Sequence, residues 1–264
     1  MFREKFDFVF SLGGNCASAM FLNETKLRMA SSPFDWIVTN TLKAHVDTLC
    51  SRFGDFLLRE NVVWHCAGRG DRGNDVYRDN AQGYLFVHDF PKGMSIDESF
   101  PKVRAKYDRR IARLLKRLDG GSRACLVWWR DDICVPDDEC RDGIERVRAA
   151  FPNSDCRLLV FENDKSYGRG EWAEEELSPN CIKIRGLIAP DGSDVLGDKK
   201  LNMRLYRRIK IGGRLAAERR RFALSRALAR MLSFWLPSRS LRKRAREALE
   251  NRLLRKGESG AIGW

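Results

Sequence analysis

The stretch Phe8-Val-Phe-Ser-Leu-Gly-Gly-Asn-Cys16, continuing into Ala17-Ser-Ala-Met-Phe-Leu22, decides how this chain is read. An apolar run of strand length meets two glycines, and a cysteine then opens an apolar segment of helical character. A buried strand, a tight turn and a helix is the connection from which α/β layers are built. Gly13 and Gly14 let the backbone turn sharply and let another group approach closely. Cys16 then stands on the first helical turn. There, unpaired N–H groups and the helix dipole stabilise a thiolate and pull a thiol below its free pKa of about 8.5. The alternative at this point is that the turn is only a connection and Cys16 a small packing residue.

Outward from this motif, apolar runs at 61–65, 83–88, 123–129, 157–161 and 181–185 join 7–12 as strand candidates. Helical periodicity covers 15–24, 41–53, 98–118, 138–150, 213–235 and 240–255. Cys125-Leu-Val-Trp-Trp129 and Leu158-Leu-Val-Phe161 are continuously apolar, as strands covered on both faces are. Strands alternating with helices predict an α/β fold, a mostly parallel sheet flanked by helices. The glycine-rich stretch 66–82 reads as a loop or irregular hairpin, and 163–180 and 188–203 read as polar loops.

The charge is concentrated at one end. Residues 204–256 hold 18 Lys and Arg against 3 Asp and Glu, a net of +15, so the rest of this +13 chain sums to −2. This divides the 264 residues into an α/β catalytic body over 1–203 and a basic helical tail over 204–264. On the tail, Leu224, Leu228, Met231, Leu232 and Trp235 share a face beside Arg220, Arg221, Arg226 and Arg230. A narrow apolar stripe beside dense arginine suits helices lying on an anionic membrane surface through 213–255. The alternatives are helices docked on the body with arginine left in water, and nucleic acid, for which no groove-reading module is present. Neither a signal-peptide pattern nor an apolar run of about 18 residues occurs, so a cytoplasmic protein is expected, held peripherally at the inner membrane by the tail.

Eight cysteines include no C-x-x-C pair, and several sit inside strand-like runs, so they are expected to be reduced, with no metal site. A thiol nucleophile needs a base, and the chain has three histidines. His45 falls within a helical pattern as a partly exposed polar position, while His65 and His88 end strands. A strand-end histidine can project into the crevice beside a strand–turn–helix, which makes His88 the first choice and His65 the second. Asp89 points to the opposite face from His88 if that strand continues. Asp35, in Ser31-Ser-Pro-Phe-Asp-Trp36, is a candidate to orient the imidazole; a helix N-cap or a buried ion pair with an arginine are the other roles open to it. Asn15 and the N–H of Cys16, at the Gly14 turn, are candidate oxyanion donors. The helix at 98–118 flanks its apolar stripe with arginines, of which Arg109 and Arg110 are candidates to face a substrate anion; a solvated basic face is the plainer role.

Taken together, Ser11-Leu-Gly-Gly-Asn-Cys16, Leu27-Arg28, Ser32-Pro-Phe-Asp-Trp-Ile37, Thr39, Gly54-Asp-Phe56, His88-Asp-Phe90 and the Tyr107-x-Arg-Arg-Ile111 helix resemble a bacterial family of uncharacterised domains described as papain-like cysteine peptidases. The match runs over roughly residues 6–160. The resemblance implies a Cys–His centre working through an acyl-thioester, with Cys16 as nucleophile and His88 as base. Gly14-Asn-Cys16 is also similar to the opening of capsule-biosynthesis acetyltransferases, which would bring in coenzyme A; a hydrolase needs no cofactor. The tail segment 232–244 resembles those ending bacterial surface-polysaccharide glycosyltransferases. The expectation is a cysteine hydrolase or acyltransferase acting on a peptide, glycan or small molecule. The alternative is an accessory binding protein in capsule or lipopolysaccharide assembly. Esterases of the SGNH type are excluded, because Gly14 stands where their serine is needed and no histidine follows His88.

Overall fold

Strand β1 (Phe8–Gly14) is buried along its whole length, as its uninterrupted apolar sequence requires. The structure, a computed structural model, describes residues 2, 4–28, 30–39, 41–68, 73–130, 134–168, 171–186, 204–205, 209–235, 238, 241–242 and 245. They fall into two units, Met1–Lys210 and Ile211–Trp264.

In the first unit β1 lies in a five-stranded sheet with β6 (Arg123–Arg130), β7 (Asp155–Asn163), β8 (Trp172–Ser178) and β9 (Cys181–Gly186), in the order β1-β6-β7-β9-β8. The first four strands in that order run parallel and β8 is antiparallel to β9, so the sheet is mixed but mostly parallel, as expected. Side chains alternate across it. On one face Phe21 of α1 (Cys16–Glu24) packs against Trp129 and Phe161, with ring centroids 5.6 and 5.2 Å away. On the other, Phe8, Phe10, Leu126, Trp128 and Val160 meet α2 (Leu42–Cys50), α3 (Ile96–Asp119) and α4 (Asp137–Ala150) in one continuous core. The stripe read on α3, from Val103 through Tyr107, Ile111 and Leu114 to Leu118, is buried. A Ser95–Glu98 capping box starts that helix.

Two features depart from the sequence expectation. A second sheet, antiparallel and ordered β2-β5-β4-β3, is inserted between β1 and β6. It comprises β2 (Ile37–Val38), β3 (Val62–Cys66), β4 (Asn74–Asp79) and β5 (Leu85–Pro91). The irregular hairpin foreseen at 66–82 is its β3–β4 pair. The stretch 163–180, expected as loop, contains β8, whose glutamate-rich sequence suits a sheet edge facing water.

Where β7 and β9 end, a fully buried Lys183 donates to the Val135 carbonyl at 2.5 Å and pairs with Asp137 and with Glu162, the latter at 3.1 Å. Arg185 completes the network from 3.1 Å to Glu162 and 3.2 Å to Asp137. Every charge in it faces an opposite one, as burial demands.

In the second unit α5 (Gly213–Ser233) exposes Leu224, Leu228, Met231 and Leu232, and Phe234 and Trp235 beyond it are exposed as well. No helix among the described residues is long and apolar enough to cross a membrane. The expected loop 188–203 and most of the expected helix 240–255 lie outside the described residues.

Candidate active site

The turn after β1 depends on its glycines. Gly13 and Gly14 hold φ of +104° and +99°, where L side chains are strained. A β-carbon on Gly13 would clash with the Nε2 edge of the His45 ring, 2.7 Å from Cδ2 and 3.1 Å from Cε1. One on Gly14 would strike the Trp129 carbonyl and sit 3.2 Å from Trp128 Cε2. Asn15 follows in extended conformation and caps α1, its Oδ1 accepting from the Ala17 N–H at 2.8 Å. Cys16 is the first residue of that helix and is half-buried. Under the turn, Ser11 and Ser18 hydroxyls meet at 2.6 Å, and the Ser32 hydroxyl donates to the Ser11 carbonyl at 2.8 Å, tying the 31–36 segment to β1.

His45 is fully buried rather than partly exposed. It lies on α2 with Phe34 and Tyr84 edge-on, both centroids 5.2 Å from its own. Nδ1 stands 3.2 Å from the Thr41 carbonyl, while Nε2 is on the Gly13 side. With Nδ1–H donating to that carbonyl, Nε2 carries the lone pair, the tautomer a general base requires. The sequence did hold a signal for this placement: Leu42, His45, Val46 and Leu49 share one helical stripe, so an imidazole there points with the apolar face.

The other candidates gather elsewhere. His88 is exposed on β5 and stands edge-on to Trp36, 5.7 Å between centroids, and Trp36 also takes the Arg28 guanidinium at 5.7 Å. His65 is exposed on β3. Asp35 is buried and bound by an arginine, the role left open beside the catalytic one. Arg28 donates to its Oδ2 from Nε at 3.0 Å and Nη2 at 2.5 Å, and the Ser32 N–H adds a third bond at 2.9 Å. Its Oδ1 has no hydrogen-bond partner among the described residues. Burial pushes the Asp35 carboxyl above its ordinary value, against the pull of Arg28 and Arg110. Asp89 is buried on the face opposite His88, because β5 runs through both; Tyr107 donates to it at 2.8 Å and Lys106 pairs with it. Burial, and then Asp89, push the Tyr107 phenol well up. Arg109 is exposed, and Arg110 lies 5.4 Å over the Tyr107 ring.

Several other cysteines are held in the thiol form by burial. Burial pushes the Cys156 thiol up to about 12, and Cys125, also buried, is raised further. Cys140 is raised by its hydrogen bond with Cys181 and then by burial. No group of His, Cys, Asp or Glu among the described residues could hold a metal ion.

Comparison with known proteins matches residues 7–140, from β1 into α4, to a family described as "Putative papain-like cysteine peptidase". An uncharacterized protein of Acanthamoeba polyphaga mimivirus is 26% identical over 195 residues, covering 66% of this chain and 86% of that protein. No solved structure matches.

Proposed function

The chain belongs to the family described as putative papain-like cysteine peptidase, and from that premise we propose that it is a cysteine hydrolase in which Cys16 is the nucleophile and His45 the base. The observation that carries this is the packing of the His45 ring against the α-carbon of Gly13, three residues before the thiol, with Nδ1 held at the Thr41 carbonyl. Thiol–imidazole pairs of this kind recur on unrelated folds and are recognised by geometry.

In this scheme His45 Nε2 takes the Cys16 proton, and the thiolate sits in the field of the α1 N-terminus. Sulfur attacks the substrate carbonyl, and backbone N–H groups of the turn together with the Asn15 amide receive the oxyanion. The intermediate collapses to an acyl-thioester as the imidazolium returns its proton to the leaving amine. Water, deprotonated by the same imidazole, then releases the acid and restores the thiol. Asp35 does not orient the base in this scheme. With Arg28 it braces the half-buried Trp36, on which the exposed His88 rests, and that pair forms one wall for a bound substrate.

The test is alkylation by limiting iodoacetamide, followed by peptide mapping across pH. Cys16 reacts first at pH 6.5, His45→Gln slows it by about tenfold or more, and His88→Gln leaves it within about twofold. Equal reactivity of Cys16 and the exposed Cys66 at every pH, or a loss in His88→Gln instead, would sink the assignment.

A further inference from the structure

Two serines hold Gly13, one on each side of the turn. The Gly13 N–H donates to the Ser11 hydroxyl at 3.1 Å, and the Gly13 carbonyl accepts from the Ser18 hydroxyl at 3.2 Å. The two hydroxyls meet at 2.6 Å. Both side chains are buried, so their hydrogen bonds must be made within the protein. Counting protons fixes the order of donation. The Gly13 N–H donates to Ser11, Ser11 donates to Ser18, and Ser18 donates back to the Gly13 carbonyl. With the two hydroxyls reversed, the Ser11 proton finds no acceptor in the ring and the Gly13 carbonyl loses its donor. The Asn15 carbonyl, 3.4 Å from the Ser18 hydroxyl, is the longer alternative for that last proton. A closed ring of three bonds thus begins and ends on one residue, and each bond polarises the next.

The sheet shows why side chains are needed here. Along β1 the pairing with β6 shifts between Ser11, opposite Val127, and Gly13, opposite Trp128. An extra residue of this kind disrupts the ladder locally and re-aims the strand, and a side chain on β1 takes up the Gly13 N–H. Ser18 comes from α1, two residues after Cys16. Gly13 is also the seat of the imidazole, since a β-carbon there would stand 2.7 Å from His45 Cδ2. The ring therefore joins β1, the glycine beside the base and the helix that carries the thiol.

We propose that Ser11 and Ser18 are positioning residues of the thiol centre, acting as one unit that fixes Gly13 against the first turn of α1. This rests on the reading of Cys16 and His45 as nucleophile and base. Both serines are buried, so they act through the turn and not on a substrate. A thiol and an imidazole assist each other only in a fixed geometry, and a small displacement of either is costly. A ring also carries its own signature. Removing either hydroxyl opens it, so removing the second changes little more.

The experiment is alkylation of the full chain by iodoacetamide across pH, with peptide mapping of Cys16 and the melting temperature read alongside. Ser11→Ala and Ser18→Ala each slow Cys16 alkylation at pH 6.5 by about five- to tenfold. Each also moves the alkylation midpoint toward the free thiol value of about 8.5. The double variant reacts no more slowly than the slower single one, whereas independent effects would multiply to about 25-fold or more. Ser18→Thr keeps the hydroxyl and the parent midpoint, although its added methyl group lowers the melting temperature. Leu158→Val, buried in β7, also melts lower and leaves the midpoint in place. Either serine alone opens the ring, so a single variant that does not fold leaves the other to decide. Unmoved midpoints in the alanine variants, or multiplied losses in the double one, overturn the proposal and leave Cys16 as nucleophile. A parent Cys16 that titrates like the exposed Cys66 removes the hydrolase reading, and this proposal with it.

Discussion

The imidazole of His45 fills the volume that a side chain on residue 13 would need. The two positions are 32 residues apart and constrain each other: glycine is required both by its φ of +104° and by the ring. Gly13→Ala is expected to cost about 1–3 kcal/mol of stability from backbone strain alone. It also pushes His45 aside, so Cys16 alkylation at pH 6.5 falls with it. A denaturant melt paired with the alkylation rate checks this; a variant that loses stability yet keeps full thiol reactivity would separate His45 from Cys16.

Arg28→Gln strips the buried Asp35 carboxylate of its partner. Breaking a buried pair from one side costs about 3–5 kcal/mol. The pH dependence has a definite sign. The Asp35 carboxyl is raised in the folded protein, so ionising it opposes folding, and the penalty grows as pH rises through its folded value. Removing Arg28 raises that value further. The destabilisation is therefore large at neutral pH and shrinks on acidification. Urea melts at pH 7 and pH 5 would show it, and a penalty that stays constant or grows toward acid contradicts the assignment.

Lys183→Met leaves Glu162 and Asp137 without their buried cation, and is expected to lose about 3–5 kcal/mol. The hydrogen bond from Lys183 holds Asp137 below its ordinary value of 3.8, so its stabilisation is present above that pH and fades as pH falls through the depressed value. Burial opposes the charge on Lys183, but Asp137 and Glu162 outweigh it and raise the ammonium above 10.5; that contribution is complete below 10.5 and is lost as pH climbs through the raised value. Melting temperature should fall along an alkaline limb in the parent, and that limb should be missing in the variant.

The exposed face of α5, with Trp235 just beyond it, carries Leu224, Leu228 and Met231 within a segment of net charge +15. Flotation with vesicles containing phosphatidylserine should capture the full chain, and phosphatidylcholine vesicles should not. Each basic residue near such a surface adds about 1 kcal/mol, so added salt releases the protein. Leu228→Ser combined with Trp235→Ser keeps the charge and removes the apolar anchor, which should weaken capture strongly. Equal capture by neutral vesicles would dismiss the charge argument.

The parallel sheet was legible wherever burial makes a strand uniformly apolar, as in β1, β6 and β7. The stripe of α3 was legible because helical periodicity is local. By contrast, Asn74-Asp-Val-Tyr-Arg-Asp79 and Trp172-Ala-Glu-Glu-Glu-Leu-Ser178 become strands by pairing with neighbours, and their polar sequences advertise water instead. The thiol turn announced itself through glycines that only a special backbone needs. Its imidazole did so only in part: the helical stripe of α2 marks His45 for burial, but which buried group meets Gly13 depends on how α2 lies across β1, a long-range fact. Strand-end position favoured His88, and packing brings His45 to the turn. For Asp35 the arginine was foreseen as an alternative, and the structure names it as Arg28, seven residues upstream.

The strand that ends in the thiol turn finds its sheet partner late. Phe8 pairs with Ala124, 116 residues further along the chain, and closing a loop of that length costs about 4 kcal/mol in chain entropy. The β2–β5 sheet, contained between them, pairs over much shorter separations and can form on the ribosome first. A nascent chain halted before Arg123 would hold that sheet with Cys16 already translated, yet lack the neighbour that shapes the glycine turn. Order of synthesis thus keeps the glycine turn before Cys16 unassembled until nearly half of the protein has been made.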